Sequence, residues 1–284
     1  MCQLLGMNCN VPTDICFSFA GFRARGGLTD HHRDGWGIAF FEGVGARVFL
    51  DPCASAASPV AELVRSYPIR SLNVIAHIRK ATQGEVRLEN THPFQRELWG
   101  RYWIFAHNGN LLDYQPALSG RFLPVGSTDS ERAFCHILDA LSQRFPDGPP
   151  APQALHDALR QLAIEIGRHG EFNFLLSDGK RLFAHCSSRL CYVVRKAPFP
   201  VAHLADEDMS VDFSEVTTPT DRVAIIVTTP LTDNENWQQI PPGTLLAFHD
   251  GEPEALGETA TVAAAVHSAG AGAQISPQPE GRAR

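Results

Sequence analysis

Short apolar runs, each stopped by a polar or glycine residue, occur at positions 74–78 and 102–106 and predict buried β-strands. From Ser130 the period changes. Phe134, Ile137, Leu138 and Leu141 follow helical spacing behind Thr128-Asp129-Ser130-Glu131, which has the Thr-x-x-Glu form of a capping box, so a helix is predicted to start there. A second helix is predicted where Leu155, Ala158, Leu159, Leu162 and Ile166 share one face. The proline-rich stretch 146–152 between them reads as an inter-helix loop rather than a domain linker. Strands are predicted again at 172–176, 182–185, 190–194, 223–228 and 244–248, with a turn at Asp178-Gly179. Helices lying between groups of strands favour an α+β fold of sheets layered with helices over a doubly wound βαβ fold. A single domain is expected over residues 2–251. The acidic stretch 206–221 reads as a surface loop. Residues 252–284, dominated by Ala, Gly, Pro and Ser, read as a partly flexible tail with a short helix around 259–266. No internal repeat at solenoid or propeller periods is visible.

Composition narrows the function. A chain of 284 residues with 44% hydrophobic content can bury a sizeable core. It has no apolar run of the ~18 residues that a membrane helix needs and no secretory signal, so a cytoplasmic protein with no membrane partner is expected. Seven cysteines without any Cys-x-x-Cys pair suit reduced thiols and argue against structural zinc. A formal charge of −7 with no dense Lys/Arg run argues against a nucleic-acid partner. A small-molecule or protein partner is the remaining expectation.

The chemistry-bearing residues begin at Cys2. Removal of Met1 would give this one residue both a thiol nucleophile and a free α-amine, whose unperturbed pKa of roughly 7.7–8.0 suits a proton shuttle. In His77-Ile78-Arg79-Lys80-Ala81-Thr82 an arginine ends a predicted strand; its guanidinium could grip a substrate carboxylate, or simply pack at the surface. In Ala106-His107-Asn108-Gly109-Asn110 an Asn-Gly turn would let the Asn108 side-chain NH₂ and the Gly109 amide point at one developing oxyanion, unless the turn is only a turn. The Asp129 carboxylate at the predicted helix start could hold a substrate ammonium or compensate the helix dipole. His92, before a proline turn, could line the pocket or be structural. The pair His31-His32 suggests a metal, but neighbours in an extended strand point to opposite faces, so no metal is expected. The turn at 228–237, with Trp237, is expected to flank the pocket. Together, an arginine for a carboxylate, a carboxylate for an ammonium and a two-donor hole describe an α-amino acid attacked at its side-chain carbonyl.

Cys2, the segments 32–39, 77–82, 90–94, 107–109 and 127–131, and their order resemble the class II glutamine amidotransferases, the family with an N-terminal cysteine nucleophile. The resemblance covers residues 2 to about 250. It implies a four-layer αββα Ntn-hydrolase sandwich and a γ-glutamyl thioester on Cys2. It also implies substrate carboxylate binding by Arg79, an oxyanion hole of Asn108 and Gly109, amine binding by Asp129, and Thr82 and His92 in the pocket. No cofactor or metal is implied. Cys2-Gln3 and Lys80 depart from the Cys-Gly start and post-arginine tryptophan of synthetase-fused members. Both look like the stand-alone YafJ-type branch, which is similar to γ-glutamyl hydrolases of ergothioneine and glutathione metabolism. The substrate would be glutamine or another γ-glutamyl amide, and any ammonia acceptor would bind a separate synthetase subunit. The alternative from another class is a catalytically silent amino-acid-sensing subunit, which would use the same pocket without forming the thioester.

Overall fold

In the computed structural model, described here over residues 2–256, two antiparallel sheets lie face to face between two pairs of helices. The first sheet holds β1 (Gln3–Thr13), β2 (Trp36–Glu42), β3 (Gly45–Asp51), β4 (Ser71–Ile78), β9 (Cys191–Lys196), β12 (Arg222–Val227) and β13 (Gln238–Gln239), in the order β13-β9-β12-β1-β4-β2-β3. The second holds β5 (Phe94–Leu98), β6 (Arg101–Leu111), β7 (Gly170–Ser177), β8 (Leu182–Cys186), β14 (Thr244–His249) and β15 (Glu252–Glu254), in the order β15-β14-β8-β7-β6-β5. A two-stranded ribbon, β10 (Val201–His203) and β11 (Ser210–Asp212), stands apart.

Period-two alternation sorts the side chains into three cores. Leu4, Ile75, Ile104, Ala106, Leu175 and Ile226 fill the space between the sheets. Met7, Val74, Ala76 and Ile225 face outward onto α1 (Cys16–Ala24) and α2 (Pro59–Ser66). Phe105, Phe172 and Phe174 face outward on the other side onto α3 (Asp129–Arg144) and α4 (Pro152–Ile166), where Phe105 stacks on Phe134 at 5.1 Å between ring centroids. The layers are therefore α, β, β, α, as the resemblance implies.

α3 begins where the capping pattern places it: Thr128 is the N-cap and its hydroxyl accepts from the Glu131 amide at 3.1 Å. Glu131 does not return the bond to Thr128; its carboxylate accepts from Gly126 N at 2.7 Å and pairs with Arg96. The loop between the helices covers 145–151, and the turn after β7 uses Gly179 at φ +86°.

Three expectations change. Asn108-Gly109 is not a turn: both residues lie inside β6, which stays paired with β7 through Leu111 opposite Gly170. The stretch 206–221 contains β11, so it is not all loop. The six-stranded sheet also continues past 251 through β15, and Leu256 packs against the helix-side core. The helix expected at 259–266 and the remainder of the tail lie outside the described residues.

Candidate active site

The register of the first sheet brings Cys2 to the end of β4. Gln3 pairs with Ile78, so one residue further back Cys2 meets Arg79 and Lys80. The Lys80 amide donates to Cys2 Sγ at 3.2 Å, and the thiol can donate to the Lys80 carbonyl at 3.3 Å. Burial pushes the thiol pKa up, opposed by the hydrogen bond from the Lys80 backbone, so the ground state is a thiol that needs a base.

Across the sandwich, Asn108 Nδ2 donates to the Cys2 carbonyl at 2.7 Å and to Thr228 Oγ1 at 3.3 Å. The opposite amide orientation would set two carbonyl oxygens against each other, so the NH₂ group faces Cys2. Thr228 in turn accepts from the Leu4 amide at 3.0 Å. The side chain expected to aim at an oxyanion is thus engaged with the backbone of Cys2.

Gly109 is glycine because of close approach, not turning. A Cβ there would lie 1.8 Å from the Glu171 carbonyl oxygen and 2.6 Å from His107 Nε2. Its amide direction follows from the ladder. Phe172, opposite Gly109, gives its N–H to Ser187 Oγ on the far side of β7, which makes Gly109–Phe172 a non-hydrogen-bonded pair. The Gly109 N–H therefore points away from β7, to the side where the Leu111 N–H meets Asp129 Oδ2 at 2.8 Å.

Asp129 links strand to helix, since its other oxygen accepts from Ser130 N at 2.9 Å. His107 is held between Ser130 Oγ (2.8 Å) and the Glu171 carbonyl (3.0 Å); the carbonyl can only accept, so Nε2 carries the proton and Nδ1 accepts from the serine. His92 packs at a tilt against His77 (4.2 Å between ring centroids) and Phe94 (4.5 Å), and burial holds its pKa well below the ordinary value.

Arg79 is 3% exposed and its guanidinium donates to three loop carbonyls, those of Gln83 (2.8 Å), Gly84 (3.0 Å) and Glu85 (3.0 Å). The same loop is tied elsewhere: Gln83 Nε2 reaches Asn110 Oδ1 at 2.6 Å, Ala81 N reaches Asp34 Oδ2 at 2.8 Å, and Asn90 Oδ1 accepts from Ser127 N at 2.8 Å. Gly84, at φ +73° and packed against Thr128, allows the tight path.

Cys2, Arg79, Thr82, His92, Gly109 and Asp129 all border one cavity of about 20 Å³. That is room for about one water molecule. Asn108 lies beneath it rather than in its wall. Lys80, Gln83, His107, Thr128 and Ser130 also border it. Strand alternation puts His107 on the face of Gly109, a signal that could have found it; nothing local marks Gln83. Trp237 lies away from the cavity, packed on the α1–α2 side with its indole N–H on Thr232 Oγ1. His31 is exposed and His32 buried, and among the described residues no three His, Cys, Asp or Glu side chains gather as metal ligands. Among those residues no helix is long and apolar enough to cross a membrane.

The sequence model of the family described as class II glutamine amidotransferases matches residues 1–271. The chain belongs to the class II glutamine amidotransferases. It is 56% identical over 252 residues to the "Putative glutamine amidotransferase YafJ" of Escherichia coli strain K12; the match covers 89% of this chain and 99% of YafJ. A Pseudomonas aeruginosa PA01 crystal structure, described as a "predicted glutamine amidotransferase", superposes with a TM-score of 0.71 at 46% identity, covering 89% of this chain and 99% of that one. A more distant relative is the gamma-glutamyl-hercynylcysteine sulfoxide hydrolase of Mycobacterium tuberculosis strain H37Rv, 27% identical over 188 residues, covering 63% of this chain and 69% of that protein. The chain is accordingly a class II amidotransferase of the Ntn-hydrolase fold.

Proposed function

We propose that this amidotransferase cleaves a γ-glutamyl amide through a thioester on Cys2, after Met1 has been removed. The observation that carries the reading is the convergence of Cys2 Sγ, Arg79, Asp129 and the outward-turned Gly109 N–H on one cavity.

In this scheme the α-amine of Cys2 takes the thiol proton as sulfur attacks the side-chain carbonyl carbon. A C–S bond forms and the carbonyl π electrons move to oxygen, where the Gly109 N–H is a donor. Collapse breaks the C–N bond, and the ammonium returns its proton to the leaving nitrogen. Water, deprotonated by the same amine, then attacks the thioester, releasing glutamate and the thiol. Arg79 receives the α-carboxylate and Asp129 the α-ammonium, with Thr82 and His92 completing the wall. Because the cavity holds about one water, and three of the five Arg79 N–H donors are taken by loop carbonyls, substrate entry requires the segment 82–90 to move outward. Asn108 acts by holding the Cys2 backbone, and in the tetrahedral intermediate one of its N–H groups can turn to the oxyanion.

Treatment with a glutamine-mimicking diazoketone, followed by peptide mass spectrometry, tests this. An adduct on residue 2 of a chain lacking Met1 is expected. Processed, folded protein that stays unlabelled while still releasing ammonia from glutamine would overturn it.

A second reading, hydrolysis of a larger γ-glutamyl compound, is favoured by the exposed Val86 and Leu88 on the loop that carries Gln83, which offer apolar surface to a bulky leaving group. Comparing kcat/KM for glutamine with that for γ-glutamyl peptides separates the two. The released nitrogen then goes either to a synthetase subunit or to water.

A further inference from the structure

On the opposite face of the first sheet, away from Cys2, lies a cavity of about 880 Å³ to which the amidotransferase chemistry assigns no role. Its floor is the outward face of β1 and β12, with Met7 beside Ile225 and Val223 next along the strand. Its walls are the start of α1, with Phe17, and the β10–β11 ribbon with the following Phe213.

The wall is rigid. Phe17 and Phe213 meet edge to face at 5.6 Å, and the Arg195 guanidinium lies 4.6 Å from the Phe213 ring centre. Arg195 is itself fixed by a bidentate pair with Glu235 (2.8 and 2.7 Å) and a bond to Ser18 Oγ at 3.1 Å. Such a wall does not need to be ordered by its ligand.

Five charged side chains border the space: Asp14, Arg65, Arg70, Arg195 and Asp221. Asp14 accepts from Cys16 N and Asp221 from Thr218. Arg65 pairs with Glu62 and Arg195 with Glu235. Among the described residues Arg70 alone of the five has no hydrogen bond or ion pair, and it is exposed at the border of a mainly apolar chamber. The volume falls in the range of small-molecule sites, roughly 300–1,000 Å³, whose usual design is an apolar lining with a few polar anchors.

We propose that this cavity is a second ligand site, for an amphipathic monoanion: an aromatic or acyl body lying on Met7, Val223 and Ile225 between the phenylalanines, with one carboxylate- or sulfonate-type head on Arg70. The Cys16 thiol at its edge, pushed up to about 11 chiefly by burial, stays protonated and takes no covalent part.

Fluorescence titration of the full-length protein with 1-anilinonaphthalene-8-sulfonate, and with the neutral N-phenyl-1-naphthylamine, tests the site. Both probes should bind saturably at about one per chain. Arg70→Glu, which breaks no hydrogen bond or ion pair among the described residues, should weaken the anionic probe by at least about tenfold and leave the neutral one unchanged. Met209→Trp, on the wall, should weaken both. The proposal is overturned if neither probe saturates, if Arg70→Glu leaves the anionic probe unaffected, or if Met209→Trp leaves both unaffected.

Discussion

Asn108 Nδ2 and the Cys2 carbonyl oxygen lie 2.7 Å apart, and this bond crosses the sandwich from β6 of one sheet to the residue just ahead of β1 in the other. The residue next to the proposed oxyanion donor Gly109 thus also sets the position of the proposed nucleophile. The strand pairing of β6 with β7 fixes Asn108, since Asn173 Nδ2 donates to its carbonyl at 3.1 Å. Sulfur and oxyanion donor are held to one frame.

Asn108→Ala should lower kcat by about 10²–10³-fold, because both the Cys2 anchor and any oxyanion contact disappear. It leaves the buried Cys2 carbonyl without its donor, at a cost of about 1–3 kcal/mol, so the melting temperature should also fall. Steady-state ammonia release together with a thermal melt checks both. A rate near wild type would remove Asn108 from the mechanism.

For Gly109→Ala the expectation is structural first. A methyl group 1.8 Å from the Glu171 oxygen forces β6 and β7 apart, so a loss of stability of roughly 1–3 kcal/mol or more is expected alongside loss of turnover. Urea unfolding of the variant is the measurement. Unchanged stability would mean that the strand pair yields without strain.

Much of the architecture could be read from pattern. The capping residues and helical spacing of 128–141 gave α3, and the short apolar runs gave β4, β6, β7, β8, β9, β12 and β14. α1 escaped because Ser18, Phe19, Ala20, Gly21 and Phe22 are all buried, which erases the alternation of faces that marks a surface helix. Asn108-Gly109 reads as a turn in the sequence because a turn dipeptide is a local signal, and pairing with Asn173 and Phe172 of β7 overrides it. At the site, residue types pointed to Arg79 and Asp129. The carbonyl cage around Arg79 could not be foreseen, since it depends on how residues 83–85 fold back.

Asp129→Asn separates structure from binding. The wild-type carboxylate accepts from Leu111 N and Ser130 N through different oxygens, whereas an asparagine offers one oxygen and turns its NH₂ against a donor. Stability should drop. If Asp129 also holds the substrate ammonium, KM should rise at least about tenfold while kcat changes far less. A lower melting temperature with unchanged KM would leave Asp129 a purely structural link between β6 and α3.

Acid should destabilise this protein through its buried histidines. Burial lowers the pKa of His77 to about 3, and it lowers those of His92 and His107 as well. In the unfolded chain each returns to roughly 6.5. Above that pH neither state binds the protons and nothing is lost. As pH falls through 6.5 the unfolded chain takes up protons that the native site refuses, so stability declines, for His77 down to about pH 3. His77 contributes a slope of about 1.4 kcal/mol per pH unit once its unfolded form is protonated, and His92 and His107 act in the same direction. Native carboxylates add their own loss lower down, so the window from about pH 5 to 6.5 isolates the histidines. Urea unfolding across that window should show stability rising with pH, and His77→Gln should flatten the rise by about one proton. An equal slope in the variant would mean that His77 is protonated in the native protein.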